Sequence, residues 1–106
     1  MNEHQRRSRA QEDRATRVYG GTRKSGSGNG TRKNDVWTDK LAIEFKTTTA
    51  KQYSLKLAEL QLAERQALLV GRDMLFGIDY VDGRGVTHRY VVQTEADYLA
   101  MQEHAD

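Results

Sequence analysis

Leu41, Ile43 and Phe45 share one parity, and Ala42, Glu44 and Lys46 share the other. That alternation predicts a β-strand over 41–48, with an apolar set behind and Glu44 and Lys46 side by side in front. Residues 35–38 read as a strand before it, across a turn at Asp39-Lys40. The first eighteen residues are polar, rich in good helix formers and free of Gly and Pro. Ala10, Ala15 and Val18 give them a thin apolar stripe, which predicts a helix. The long helix falls at 54–70 and stops at Gly71. Leu55, Ala58, Leu62 and Leu69 make its apolar face, widened by Leu57, Leu60 and Leu68, so it is expected to be deeply buried or to meet a partner helix. A strand at 74–81, a turn at Asp82-Gly83-Arg84-Gly85 and a strand at 86–93 follow. Thr94 then caps a short terminal helix, with Asp97 three residues on. The order is α-β-β-α-β-β-α, one α/β domain with a mixed sheet between helices.

Length and composition narrow the chemistry. The chain's 106 residues suit a single domain with a modest core. There is no Cys, which excludes disulfides and thiolate-zinc sites, and His4, His88 and His104 lack metal-ligand spacing. No apolar run is long enough for a membrane span and no secretory segment follows the start, so a soluble cytoplasmic protein is the expectation.

Charge divides the chain in two. Residues 1–33 carry nine Lys/Arg against three acidic residues, a net +6; the remainder carries eight against twelve, a net −4. A basic helix and Gly/Ser-rich loop (1–33) thus lead into the body of the same domain (34–106). Gly20, Gly21, Gly26, Gly28 and Gly30, with Ser25 and Ser27, read as a flexible loop flanked by Thr22-Arg23-Lys24 and Thr31-Arg32-Lys33. It lacks the Gly-Lys-Ser/Thr of a Walker loop. A basic arm on an acidic body points to a polyanion, most simply nucleic acid; a solvated tail is the plain alternative. The residues that would meet DNA phosphates are Arg6, Arg7, Arg9, Arg14, Arg23, Lys24, Ser25, Ser27, Arg32, Lys33 and Lys56, the last at the start of the long helix.

Glu and Lys two apart on a strand can be no more than a solvated edge pair. The central place of this strand in the element order implies burial, and a buried carboxylate needs a cation. Asp35 supplies a second carboxylate if 35–38 and 41–48 pair as a hairpin; Asp39 is its rival, nearer the turn. Two carboxylates and an ammonium suit a Mg²⁺ site acting on a phosphate. Trp37 and the tyrosines at 53, 80, 90 and 98 read as packing residues with wet hydroxyls, and His88 as an edge histidine.

Asp35, eight intervening residues, then Glu44-Phe45-Lys46 on the apolar strand that carries Ile43, resembles the PD-(D/E)xK nuclease motif. An acid in the first helix (Glu12) and the Ser25-Gly26-Ser27-Gly28 loop before it sharpen the likeness to small phage- and archaeal-type Holliday junction resolvases. The likeness covers about residues 9–80. Asn34-Asp35 stands where the motif's name implies Pro-Asp, and the Asp-to-Glu interval is short. The resemblance implies a restriction-endonuclease-like core and Mg²⁺ (or Mn²⁺) held by Asp35, Glu44, the Phe45 carbonyl and Glu12. Lys46 would position the attacking water, so Glu12, Asp35, Glu44 and Lys46 are the expected catalytic set. It further implies a homodimer, branched DNA as substrate, products with 5′-phosphate and 3′-hydroxyl ends, and a phage-encoded enzyme of recombination. Another nuclease of the same core (nicking, flap or restriction-like) and a non-enzymatic nucleic-acid-binding module stay open beside it.

Overall fold

A computed structural model of the chain describes residues 1–23 and 35–104. The candidate phosphate contacts Lys24, Ser25, Ser27, Arg32 and Lys33 lie outside these. The elements run α1 (Glu3–Tyr19), β1 (Thr22–Arg23), β2 (Val36–Trp37), β3 (Leu41–Thr48), α2 (Leu57–Leu69), β4 (Asp73–Val81), β5 (Thr87–Val92) and α3 (Glu95–Glu103). The five strands form one mixed sheet in the order β1-β2-β3-β4-β5. Among the described residues only the β3–β4 pair is parallel, with α2 as its crossover; the other pairs are antiparallel. Among the described residues no helix is long and apolar enough to cross a membrane.

Local chemistry explains most boundaries. A reciprocal capping box between Asn2 and Gln5 starts α1, and Gly20, at φ 72°, ends it. The Thr38 hydroxyl accepts from the amides of Lys40 (3.2 Å) and Leu41 (2.9 Å), closing the β2–β3 hairpin at the expected turn. Thr94 accepts from the Asp97 amide and starts α3.

Two expectations need correction. The element order gains a strand, because Thr22–Arg23, read as part of a loop, pairs with β2 as β1. Nothing in two basic, polar residues announces a strand. The pairing depends on Gly21, where a Cβ would stand 2.7 Å from the Trp37 carbonyl oxygen, so only glycine lets the chain close on β2. The second correction concerns the long helix, which starts at Leu57 and buries Ala63 and Ala67 instead of the leucine face. Leu60 and Val70 pack beside them, whereas Leu57, Leu68 and Leu69 are exposed and Leu62 is 36% exposed. Apolar residues occur all round this helix, so periodicity could not choose a face. The sheet chose the small-residue stripe, which lets the helix axis come close.

Both faces of the sheet are covered. Ala42, Met74, Phe76 and Ile78 meet Ala63 and Ala67 of α2; Val36, Ile43 and Leu75 meet Ala15 of α1, with Tyr19, Leu41 and Phe45 around them. Phe45 lies across Gly77 of β4, where a Cβ would come within 2.6 Å of its ring. Tyr53 and Tyr80 pack against the α2-side core, but Tyr90 and Tyr98, read as packing residues, are 60% and 47% exposed. Tyr90 stands on the outer strand and Tyr98 on α3, which has no buried residue.

Candidate functional site

Strand alternation sends Ala42, Glu44 and Lys46 toward α2. Glu44 is registered beside Phe76, which is fully buried, and Lys46 beside Ile78. Glu44 is therefore held in an apolar setting, its side chain only 13% exposed. One carboxylate oxygen lies 3.6 Å from the Lys46 ammonium. The other, Oε2, is buried and has no hydrogen-bond partner among the described residues. Burial and then the nearby charge of Asp35 push the Glu44 carboxyl up to about 8, against the partial relief of Lys46.

Asp35 is clamped to the same strand twice. Its amide donates to the Ile43 carbonyl at 2.7 Å, and its carboxylate accepts from the Phe45 amide at 2.8 Å. The β2–β3 ladder ends at Val36↔Ile43, so the Asp35 side chain takes the place of the next rung. The N–H and C=O of one strand residue point to the same edge, which aims the Phe45 carbonyl to the side where Asp35 stands. Burial raises the Asp35 carboxyl above its ordinary value, while the Phe45 amide and Lys46 oppose the rise. Asp39 stands exposed in the hairpin bend at the other end of β3.

Glu12 comes from the opposite face, on α1. Burial first, and then the charge of Asp35, push its carboxyl up to about 7, with Arg23 and Arg9 acting the other way. The charge of Asp35 acts on both Glu12 and Glu44, which makes it the hub of the cluster.

Four more residues complete the surroundings; sequence reasoning passed over three of them and read the fourth, Tyr53, as a packing residue. Gln11, buried on α1, donates to the Lys46 carbonyl at 2.8 Å, which pins the turn carrying Glu12 to the strand carrying Lys46. Gln11 also bonds Asp79, a buried acid of β4 that pairs with Arg89 at 3.5 Å. Glu59, in the first turn of α2, lies 3.8 Å from the Lys46 ammonium and accepts from the Tyr53 hydroxyl at 2.8 Å. Burial and the contact with Glu59 raise the Tyr53 phenol. Glu44, Lys46, Glu59, Leu62 and Ala63 line a recess of about 160 Å³. Sequence offered little sign of these four: an acid in a helix's first turn is common, and Gln11 is conspicuous only as the neighbour of Glu12.

The candidate phosphate contacts are dispersed. Arg6 and Arg7 each stand 3.9 Å from Glu3 at the far end of α1. Arg23 pairs with Asp13 at 2.9 Å, tying β1 to α1. The charge of Arg14 acts on Asp79, and Lys56 is an exposed N-cap without a side-chain cap bond. The charges of Arg9 and Arg23 thus act on Glu12 of the acid cluster, and that of Arg14 on Asp79.

The donors suit a hard cation: carboxylates and a carbonyl, an orphaned buried oxygen on Glu44, and mutual repulsion that a positive charge would relieve. Among the described residues, no group of three His, Cys, Asp or Glu is assembled to hold an ion. Mg²⁺ keeps several waters and takes one or two carboxylates plus substrate phosphate oxygens. Comparisons with protein-family models, with curated proteins and with solved structures gave no match.

Proposed function

We propose that this chain is a divalent-metal-dependent DNA endonuclease of the PD-(D/E)xK kind, acting on branched DNA as a Holliday junction resolvase does. One observation carries the reading. Asp35, clamped on β3, gathers Glu12 from one side of the sheet and Glu44 with Lys46 from the other, and leaves a buried Glu44 oxygen unpartnered. Carboxyls pushed toward neutrality by burial and by a neighbouring acid cost the fold stability, so the arrangement points to a use.

Asp35, Glu44 and the Phe45 carbonyl would hold Mg²⁺ or Mn²⁺, with Glu12 reaching it directly or through water. The ion supplies Lewis-acid stabilisation of charge on the phosphate oxygens. Lys46 donates to the attacking water and to the oxygen on which negative charge grows, and its pairing with Glu44 aims it there. Water adds to phosphorus and gives up a proton to solvent, the bond between phosphorus and the 3′ oxygen breaks, and that oxygen takes a proton back from solvent, leaving 5′-phosphate and 3′-hydroxyl ends. Arg9, Arg14 and Arg23 would grip backbone phosphates near the acids without reading bases. Symmetric cuts in two strands require a two-fold homodimer.

A second reading, a non-enzymatic nucleic-acid-binding module, is favoured by the lack, among the described residues, of an assembled three-ligand group. One assay separates the two. The purified chain is incubated with a labelled four-way junction, a matched duplex and a flap, with Mg²⁺ or with EDTA. Paired, metal-dependent cuts in the junction alone are expected. Cutting of all three would keep the nuclease and discard junction selectivity. Tight binding without cleavage in Mg²⁺ or Mn²⁺ would favour the module.

A further inference from the structure

We infer that Glu59, braced by Tyr53, is a positioning residue for Lys46, holding its ammonium at the recess between β3 and α2. The inference rests on the nuclease reading for its purpose, though not for its geometry. A strand lysine has a long, freely rotating stem and a strongly hydrated head. Lys46 is 37% exposed, and the single contact with Glu44 at 3.6 Å leaves the head free to swing outward. Glu59 supplies a second contact at 3.8 Å from a different element, so the ammonium is fixed between two carboxylates. Glu59 is itself fixed, because the Tyr53 hydroxyl donates to it at 2.8 Å. Tyr53 in turn packs on the buried Phe76 ring, with centroids 6.4 Å apart. The positional information thus runs from the core through Tyr53 and Glu59 to Lys46. A plain first-turn acid would serve the dipole of α2 equally well and would need neither contact.

The role is distinct from catalysis, since Glu59 acts through Lys46. Loss of such a supporting contact lowers activity by about 10- to 100-fold. Glu59→Gln is expected to lower kcat for junction cleavage by about tenfold or more while KM stays within about twofold, and Tyr53→Phe to do the same more weakly. In a Lys46→Ala background, Glu59→Gln is expected to have no further effect, because the residue it positions is gone. A second readout needs no cleavage. In the metal-free protein, NMR relaxation of the Lys46 side chain is expected to report restricted motion. Glu59→Gln should loosen it toward that of exposed Lys56. Unchanged Lys46 motion in Glu59→Gln would overturn the inference, as would Glu59→Gln and Lys46→Ala effects that multiply independently. If the wild-type chain cuts no DNA, the nuclease reading falls, and the motion of Lys46 alone then decides whether Glu59 tethers it.

Discussion

The two helices that flank the sheet each bring one acid to the same row of residues, yet they dock by different physics. α2 is held by Ala63 and Ala67, small apolar residues that bring its axis close to Phe76 and Ile78. α1 buries only Gln11 and Ala15, and directional contacts tie it to the sheet: Gln11 to the Lys46 carbonyl and to Asp79, and Asp13 to Arg23. Apolar packing tolerates sliding as long as volume is filled, whereas a hydrogen bond fixes one atom against another. Glu59, on the packed helix, accordingly needs the Tyr53 brace. Glu12, on the bonded helix, is set in place by its neighbour. Both arrangements converge on Asp35, Glu44 and Lys46, which belong to neither helix.

The largest effect should come from removing that shared target. Asp35→Asn or Glu44→Ala is expected to lower junction cleavage by about 1,000-fold or more while DNA binding is retained. Asp39→Asn, in the bend, should stay within about threefold; if instead it matches Asp35→Asn, the hub has been placed on the wrong aspartate.

Breaking the packed helix comes next. Ala67→Leu forces side-chain volume into a fully buried contact and should destabilise the fold by about 3 kcal/mol, read by urea or thermal unfolding. A loss under 1 kcal/mol would mean that α2 floats more freely than the alanine stripe implies.

The electrostatic cost of the cluster sharpens the comparison from the other direction. Burial, and then the charge of Asp35, push the Glu44 carboxyl up to about 8 in the folded chain, from an ordinary value of 4.5. A carboxyl raised by folding contributes stability that is full below the unfolded value and is lost as pH rises through the folded one. Glu44→Gln should therefore leave stability unchanged at pH 4 and raise it at pH 8, on the order of 2 kcal/mol, in metal-free buffer. Mg²⁺ at pH 8 should narrow that gap by stabilising the wild type. Equal stabilities of the two proteins across pH 4–8 would show that burial does not penalise this carboxylate.

The smallest effect tests the hydrogen-bonded helix. Gln11→Ala removes the hydrogen bonds to the Lys46 carbonyl and to Asp79 and should cost about 1–2 kcal/mol, a fall in Tm of about 4 °C or more. If these bonds position Glu12, cleavage should fall as far in Gln11→Ala as in Glu12→Gln. Full activity in Gln11→Ala alone would separate the docking of α1 from the placement of its acid.

Sequence alone determined the elements in which local chemistry is strong: β3 from its strict alternation, the β2–β3 turn, the cap at Thr94, and the grouping of Glu44 with Lys46 on one face. It also singled out Asp35 and Glu12, although only the fold brings them near each other. What the tertiary structure decided was everything that depends on distance between segments. The buried stripe of α2 was ambiguous in a helix apolar all round, and the sheet selected its alanines. β1 exists because Gly21 lets the chain approach β2. Gln11, Tyr53, Asp79 and Glu59 carry no local pattern, because a side chain that meets a partner six, thirty-five or more positions away leaves no periodic trace in the chain. Periodicity records which way a residue points; only packing settles what it meets there.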